Sequence, residues 1–284
     1  MDSLKDCYTL YNGVKIPCVG LGTYLTDDGE TCVNAVRAAI EAGYRHIDTA
    51  VAYGNEASVG KAIRECGVPR EEIFVTSKLR NVNQGYEETK AAFEVTMEQL
   101  GLDYIDMYLV HWPIARGHKL DWKEHSYQTW RAFEELYEAG RIRAIGVSNF
   151  LTYHLEPLME RAKIMPMVNQ LELHPGYHQD EIVAFCKEKG IVLEAWSPMM
   201  QGKQMQNPLL IEIGEKYGKS AAQVCVRWSL QKGFLPLPKS VNPERIRQNA
   251  DVFDFVLTDE DVAKIDTLKS VGRLGPHPDT IYPD

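Results

Sequence analysis

The segment Tyr44–Glu56, YRHIDTAVAYGNE, carries a carboxylate and a phenol in close succession. Asp48 ends a short strand-like piece, and Tyr53 follows five residues later, ahead of Gly54, Asn55 and Glu56, which read as a turn and a helix start. Such a pair suits proton transfer. It also suits plain architecture, with the Asp bonding turn amides and the Tyr anchoring a loop. A phenol ordinarily ionises near a pH of about 10, too high for easy proton transfer at neutral pH. A nearby ammonium would favour the phenolate, and a carboxylate could hold that ammonium charged and oriented. Further polar or aromatic groups stand at the ends of other strand-like runs: Lys78, His111, Ser148 and Asn149, Gln170, Trp196 and Ser197, Lys239 and Ser240. Singly, each has an architectural explanation: a solvated lysine, a core histidine, an asparagine capping a helix. Seven such ends converging on one mouth make coincidence a poor account of them.

The convergence depends on the elements that carry these residues. Apolar strand-like runs occupy 73–78, 105–111, 142–149, 167–171, 191–197 and 234–240. Their continuous apolar character, rather than alternation, predicts strands covered on both faces, as in parallel sheets. Segments of helical spacing lie between them, with Val33, Val36 and Ile40 on one face and Ile182, Phe185 and Cys186 on another. GLGT and YRHID bring the strand count to eight, each strand followed by a helix or a helix pair. That pattern predicts a single (β/α)8 barrel domain over residues 1–284, with its active site at the C-terminal ends of the strands. Ahead of the barrel, YTLYNGVKIP predicts a hairpin turning at Asn12-Gly13. An open doubly wound sheet would want G-x-G-x-x-G after the first strand, and GLGTYL lacks the last glycine.

Composition limits the partners. The 284 residues carry a formal net charge of -9, which argues against non-specific binding to nucleic acid or anionic membranes. An anionic ligand would need a local basic cluster. The six cysteines show no C-x-x-C spacing and read as reduced core residues of a cytoplasmic protein. The start MDSLKDCYTL has no apolar signal segment, and no apolar run approaches the ~18 residues of a membrane span. His174 and His178 stand four apart, but Pro175 and Gly176 between them disfavour a helix and no third ligand is near. No metal site is expected there.

The motifs HIDTAVAYGNE, TSKL and LVHWP closely resemble those carrying the catalytic tetrad of the aldo-keto reductase family, placing that tetrad on Asp48, Tyr53, Lys78 and His111. The likeness covers nearly the whole chain and includes VGLGTY, GRIRAIGVSNF, NQLELHP, EAWSP, LPKS and RIRQN. The ending GRLGPHPDTIYPD and the run EAWSPMMQGK are most similar to the prokaryotic-type branch that includes 2,5-diketogluconate reductases. The resemblance implies reduction of aldehydes and ketones by hydride transfer from NADPH, with Tyr53 as general acid. Lys78 would tune the phenol, Asp48 would hold Lys78, and His111 would donate a hydrogen bond to the carbonyl oxygen.

It also implies cofactor contacts from Gly22, Thr23 and Tyr24, from Ser148, Asn149 and Gln170 around the carboxamide, and from Trp196 stacked on the nicotinamide. Ser197, Met199 and Gln201 would follow. Lys239, Ser240 and Arg245 would grip the adenosine phosphate, with Gln248 and Asn249 near the adenine and Val241 as a further cofactor contact. Two positions depart from the family pattern: Trp196 replaces a frequent tyrosine and Gln248 a frequent glutamate. Asn242 and Pro243 independently mark a helix start beside those cations, which suits an anion. Tyr24, Tyr53, His111 and Trp112 would line the substrate pocket. The expected protein is a monomeric cytoplasmic reductase of small carbonyl compounds. A cofactor-binding redox sensor with negligible turnover is the alternative, and NADPH binding without oxidation by any carbonyl would reveal it. A barrel lyase or isomerase of phosphorylated sugars ranks below both, because the residue set disfavours it.

Overall fold

The computed structural model describes residues 1–268 and 272–281. It opens with an antiparallel hairpin, β1 (Cys7–Thr9) and β2 (Lys15–Pro17), in which Cys7 faces Pro17. The hairpin turns where Asn12 and Gly13 predict it. Asn12 Oδ1 accepts from the Val14 N–H at 3.1 Å, and Gly13 takes a φ of 85° that favours glycine.

Eight strands then form one parallel sheet in chain order: β3 (Leu21–Gly22), β4 (His46–Asp48), β5 (Phe74–Leu79), β6 (Ile105–Val110), β7 (Ile142–Ser148), β8 (Val168–Glu172), β9 (Val192–Trp196) and β10 (Leu235–Pro236). The sheet curls until its two ends meet. The Gly20 N–H donates to the Pro236 carbonyl and the Gly22 N–H to the Pro238 carbonyl, both at 3.1 Å. The result is the expected (β/α)8 barrel. All residues of β5 and β6 are buried, which explains why those runs show no alternation between apolar and polar residues. The last strand is shorter than its predicted span of 234–240. Pro236 and Pro238 have no N–H to donate, so regular pairing stops there.

Helices α1 (Glu30–Glu41), α2 (Glu56–Glu65), α3 (Tyr86–Leu100), α4 (Trp122–Glu138), α5 (Thr152–Met159) and α6 (Asp180–Glu188) follow β3 to β8 one by one. A pair, α7 (Pro208–Tyr217) and α8 (Ala221–Gln231), follows β9, and α9 (Pro243–Ala250) and α10 (Asp259–Asp266) follow β10. Helix α1 buries Val33, Val36 and Ile40 as its spacing predicts. Helices α2 and α3 approach so closely that a Cβ at Gly60 would lie 1.9 Å from the Leu100 carbonyl oxygen. Of the six free cysteines, Cys18, Cys32, Cys186 and Cys225 are buried and Cys7 and Cys66 half-buried.

The hairpin covers the N-terminal ends of the strands and forms the barrel floor. Tyr8 donates to the Phe234 carbonyl (3.2 Å), Tyr11 to that of Met165 (2.8 Å) and Asn12 Nδ2 to that of Arg143 (3.0 Å). A cavity of about 910 Å³ opens there, lined by charged groups including Lys15, Arg45, Glu72, Asp106 and Arg143. Several of these charges pair with each other, Arg45 with Glu72 at 3.8 Å and Arg143 with Asp106 at 2.7 Å, and Arg70 adds a second cation to Asp106 at 2.8 Å. The mouth, at the opposite end, is where the chemistry gathers.

Candidate active site

Strand β5 buries Lys78 completely, and β4 places Asp48 beside it. Lys78 Nζ donates to Asp48 Oδ1 at 2.6 Å, to the Thr49 carbonyl at 2.9 Å and to the Tyr53 hydroxyl at 3.3 Å. Tyr53 sits on a single 3₁₀ turn, Val51–Tyr53, that follows β4 and ends on Gly54 at φ 69°. This turn folds the phenol back over the lysine, whose nitrogen lies 5.0 Å from the ring centre. His111 comes one residue past β6, and its ring meets that of Tyr53 edge-on at 5.8 Å. The four residues named from the sequence are therefore one cluster.

The electrostatics refine the expected acid. Burial pushes Lys78 down, but Asp48 and Tyr53 outweigh it and hold the ammonium above its ordinary value. Burial raises the Tyr53 phenol, Lys78 pulls it down and Asp48 pushes it up, so the outcome is upward. Lys78 does lower the phenol as expected, yet its shortest bond is to Asp48, and burial prevails. Tyr53 thus holds its proton through neutral pH, and the ammonium waits beside the charge that proton loss creates. His111 is driven well below its ordinary value by burial and by Lys78, so the imidazole facing the phenol is neutral.

Around the cluster, Ser148, Asn149, Gln170 and Trp196 form a hydrogen-bonded arc. Ser148 Oγ donates to the Gln170 carbonyl at 2.8 Å. Asn149 Nδ2 donates to the His111 carbonyl and to Ser148 Oγ, both at 3.0 Å, while its Oδ1 accepts from Trp196 Nε1 at 2.9 Å. Asn149 is no helix cap: α5 starts three residues later, and Asn149 itself adopts φ 63°. Gln170 Nε2 donates to Asp48 Oδ2 at 2.9 Å and to Glu194 Oε2 at 2.7 Å. The half-buried Trp196 ends β9, and Gly275 packs against its edge; a Cβ there would lie 2.5 Å from Cη2. Ser197 takes φ 52° and Gln201 the same value, in the loop that also carries Met199.

The remaining sequence-named residues divide by exposure. Gly22 lies on β3 with Leu237 so close that a Cβ would stand 3.0 Å from its carbonyl oxygen. Thr23 is buried, and its hydroxyl donates to the Asp48 carbonyl at 3.0 Å. Tyr24 is exposed and tilts over Tyr53 at 5.1 Å between ring centres, and Trp112 is buried next to His111. Lys239 Nζ donates to the Leu25 carbonyl at 2.8 Å. Ser240 Oγ accepts from the Asn242 N–H at 3.1 Å, and Asn242 Oδ1 caps α9 through the N–H groups of Glu244 and Arg245. Val241, Arg245 and Gln248 are exposed and Asn249 is buried. Arg245 has no ion-pair partner among the described residues. His174 and His178 turn to Glu172 Oε1 (3.0 Å) and the Pro175 carbonyl (2.9 Å).

Three contributors were not anticipated. Asn55, read as part of a turn, accepts from Thr49 Oγ1 at 2.7 Å and donates to the carbonyls of Thr23 and Thr26, tying the first two mouth loops together. Glu172 receives the N–H groups of Leu274 and Gly275 and so holds the C-terminal segment at the mouth. Glu194 lies buried behind Gln170. A single acid inside an otherwise apolar strand, as in IVLEAWS, was the available signal for Glu194.

The Aldo/keto reductase family matches residues 18–270. The chain belongs to that family. It is 52% identical over 279 residues to a glyoxal reductase of Bacillus subtilis (strain 168), covering 98% of each chain. An aldo-keto reductase from a Medee basin deep-sea metagenome library superposes with a TM-score of 0.91 at 44% identity, over 97% of this chain and 99% of that one. A Bombyx mori aldo-keto reductase solved in complex with NADP gives 0.88 at 36% identity, over 100% and 98%. The present chain is an NADP(H)-dependent oxidoreductase that reduces aldehydes and ketones to alcohols.

Proposed function

We propose that Tyr53 is the general acid of this carbonyl reduction, with Lys78, Asp48 and His111 in the roles their contacts suit. The supporting observation is one ammonium, Lys78 Nζ, bonded at once to Asp48 and to the Tyr53 hydroxyl. A carbonyl oxygen placed between Tyr53 and His111 meets a protonated phenol and a neutral imidazole able to donate an N–H. As negative charge grows on that oxygen, Tyr53 delivers its proton and Lys78 stabilises the phenolate left behind. Asp48 keeps the ammonium charged and aimed.

The residues fit NADPH. Trp196 offers a flat surface at the mouth, and Gln170 Oε1 accepts no hydrogen bond among the described residues, so it is free for a carboxamide N–H. Ser148 and Asn149 flank it. The exposed Arg245, at the capped start of α9, and Lys239 suit a phosphate. Bound NADPH supplies the hydride. Asn249 and Gln248 would stand near the adenine, and Gly22, Thr23, Ser197, Met199, Gln201, Ser240 and Val241 would make the remaining cofactor contacts.

The substrate is a small carbonyl compound admitted between Tyr24 and Trp112. We place this activity in a single domain acting as a cytoplasmic monomer, in keeping with the acidic charge and six unpaired cysteines. No described helix is long and apolar enough to cross a membrane. Light scattering after gel filtration tests the monomer. The acid is tested by Tyr53→Phe, which should lose about 10²–10⁴-fold in turnover while NADPH still binds. Near-normal turnover would remove Tyr53 from this role.

A further inference from the structure

Behind the tetrad, Glu194 is fully buried on β9 and shares the Gln170 amide nitrogen with Asp48. We propose that Glu194 is a positioning residue, which with Asp48 fixes the Gln170 amide so that its nitrogen faces the barrel interior and its oxygen stays free for the nicotinamide carboxamide. This rests on the reading of Gln170 and Asp48 given above. Both hydrogens of Nε2 are engaged, at 2.9 Å by Asp48 and at 2.7 Å by Glu194. Two anchors fix the plane of the amide, whereas one would leave it free to swing about the remaining bond.

Charge decides the form in which Glu194 does this. The groups facing it are Gln170 on β8, Asp48 and His46 on β4, and Lys78 on β5. Lys78 already balances Asp48 at 2.6 Å. His46, 3.9 Å from Glu194 Oε1, is held down to about 3 by burial and by Lys78, so it brings no positive charge. Its Nε2 is bonded to Thr76 Oγ1 at 2.9 Å. An ionised Glu194 would be a second buried anion with no cation of its own. Burial first, and the Asp48 charge second, push it up to about 8. At neutral pH it therefore keeps its proton and still offers Oε2 to Gln170. Around the Gln170 amide there is then one anion, Asp48, and one cation, Lys78.

Two readouts, neither of them turnover, test this. The first is calorimetric titration of NADPH. Glu194→Gln retains a neutral acceptor and should bind within about twofold of wild type, while Glu194→Leu removes one anchor and should bind about five- to tenfold more weakly. The second is thermal unfolding of the free protein from pH 4.5 to 9. An unfolded glutamate ionises near 4.5 but the folded Glu194 only near 8, so the native state binds the extra proton between those values. Wild-type stability must then fall with rising pH across that window, relative to Glu194→Gln, and the gap should reach several degrees above pH 8. Parallel melting curves would overturn the protonated form even if Glu194→Leu fails to fold. Wild-type affinity in a folded Glu194→Leu would overturn the positioning. Gln170→Ala separates the levels. If it leaves NADPH affinity intact, the reading of Gln170 is itself wrong; if it weakens NADPH while Glu194→Leu does not, only Glu194 is wrong.

Discussion

The two ends of the proposed cofactor site are built differently. At the nicotinamide end, Lys78, Asp48 and Gln170 are buried and hydrogen-bonded before any ligand arrives. At the phosphate end, Arg245 and Val241 are exposed and Lys239 holds a backbone carbonyl of Leu25. The contrast follows from what each end must do. Proton and hydride transfer need groups fixed to a fraction of an ångström, and a buried network provides that. Gripping a phosphate needs charge within reach, and solvated side chains on a capped helix start provide that at little folding cost.

Perturbations at the two ends must therefore differ in kind. The largest effect should come from Lys78→Met. It strands the buried Asp48 charge, so stability should fall by about 3–5 kcal/mol and turnover by orders of magnitude. Adding Asp48→Asn should recover much of the stability and none of the turnover. Denaturant melts of both variants check this, and a Lys78→Met protein as stable as wild type would refute the buried-network half of the comparison.

Next in size is Arg245→Ala. Hydrogen bonds to charged groups are worth about 1.5–3 kcal/mol, so NADPH should weaken roughly 10–150-fold with stability unmoved. NADH, which lacks the 2′-phosphate, should hardly change, and added salt should penalise NADPH more than NADH. Equal losses for the two cofactors would show that Arg245 is structural.

Trp196→Ala should cost less, about 0.5–1.5 kcal/mol or roughly 2- to 13-fold in NADPH affinity. It should also abolish much of the cofactor-induced quench of tryptophan emission, with Trp112→Ala as the control; an unchanged quench would dismiss stacking.

The smallest effect is expected from acidity. His111 stays neutral well below its ordinary range and Tyr53 keeps its proton above its own. Reduction should therefore vary little between pH 6 and 8, while alcohol oxidation, which needs the phenolate, should rise as the pH climbs toward the phenol. A fall in reduction centred near 6.5 would mean that His111 titrates there.

Much of this was legible in the sequence, for identifiable reasons. The fold could be read because strands covered on both faces tend to be apolar without alternation; six such runs stand out, and GLGT and YRHID complete the eight. The tetrad could be read because its members fall at strand ends in motifs of fixed spacing. Hydrogen-bond partners could not. Asn149 looks like a helix cap until its carbonyl is found holding Trp196, and Asn55 looks like a turn residue until it reaches Thr23. Gln170 was placed at the carboxamide, but nothing in the linear order indicates that its nitrogen serves two acids, 122 and 24 residues away. The balance at Tyr53 was likewise hidden, since the lysine's pull is visible in a motif and the burial opposing it is not.

The barrel floor has a consequence for how the chain finds its fold. Tyr8 bonds to Phe234 across 226 residues of sequence, and the ring closes only when Gly20 and Gly22 meet Pro236 and Pro238. Contacts of such separation carry the largest loop-closure entropy and slow the search for the native state. A chain emerging from the ribosome has its hairpin early, gains the Arg143 and Met165 carbonyls as partners only after more than a hundred further residues, and meets Phe234 last. Refolding should therefore pass through an open sheet with β3 to β10 paired in order and its two edges, β3 and β10, still apart. Such a species has Lys78 and Asp48 beside each other but no complete mouth, so cofactor binding should be regained only in the final, slowest phase.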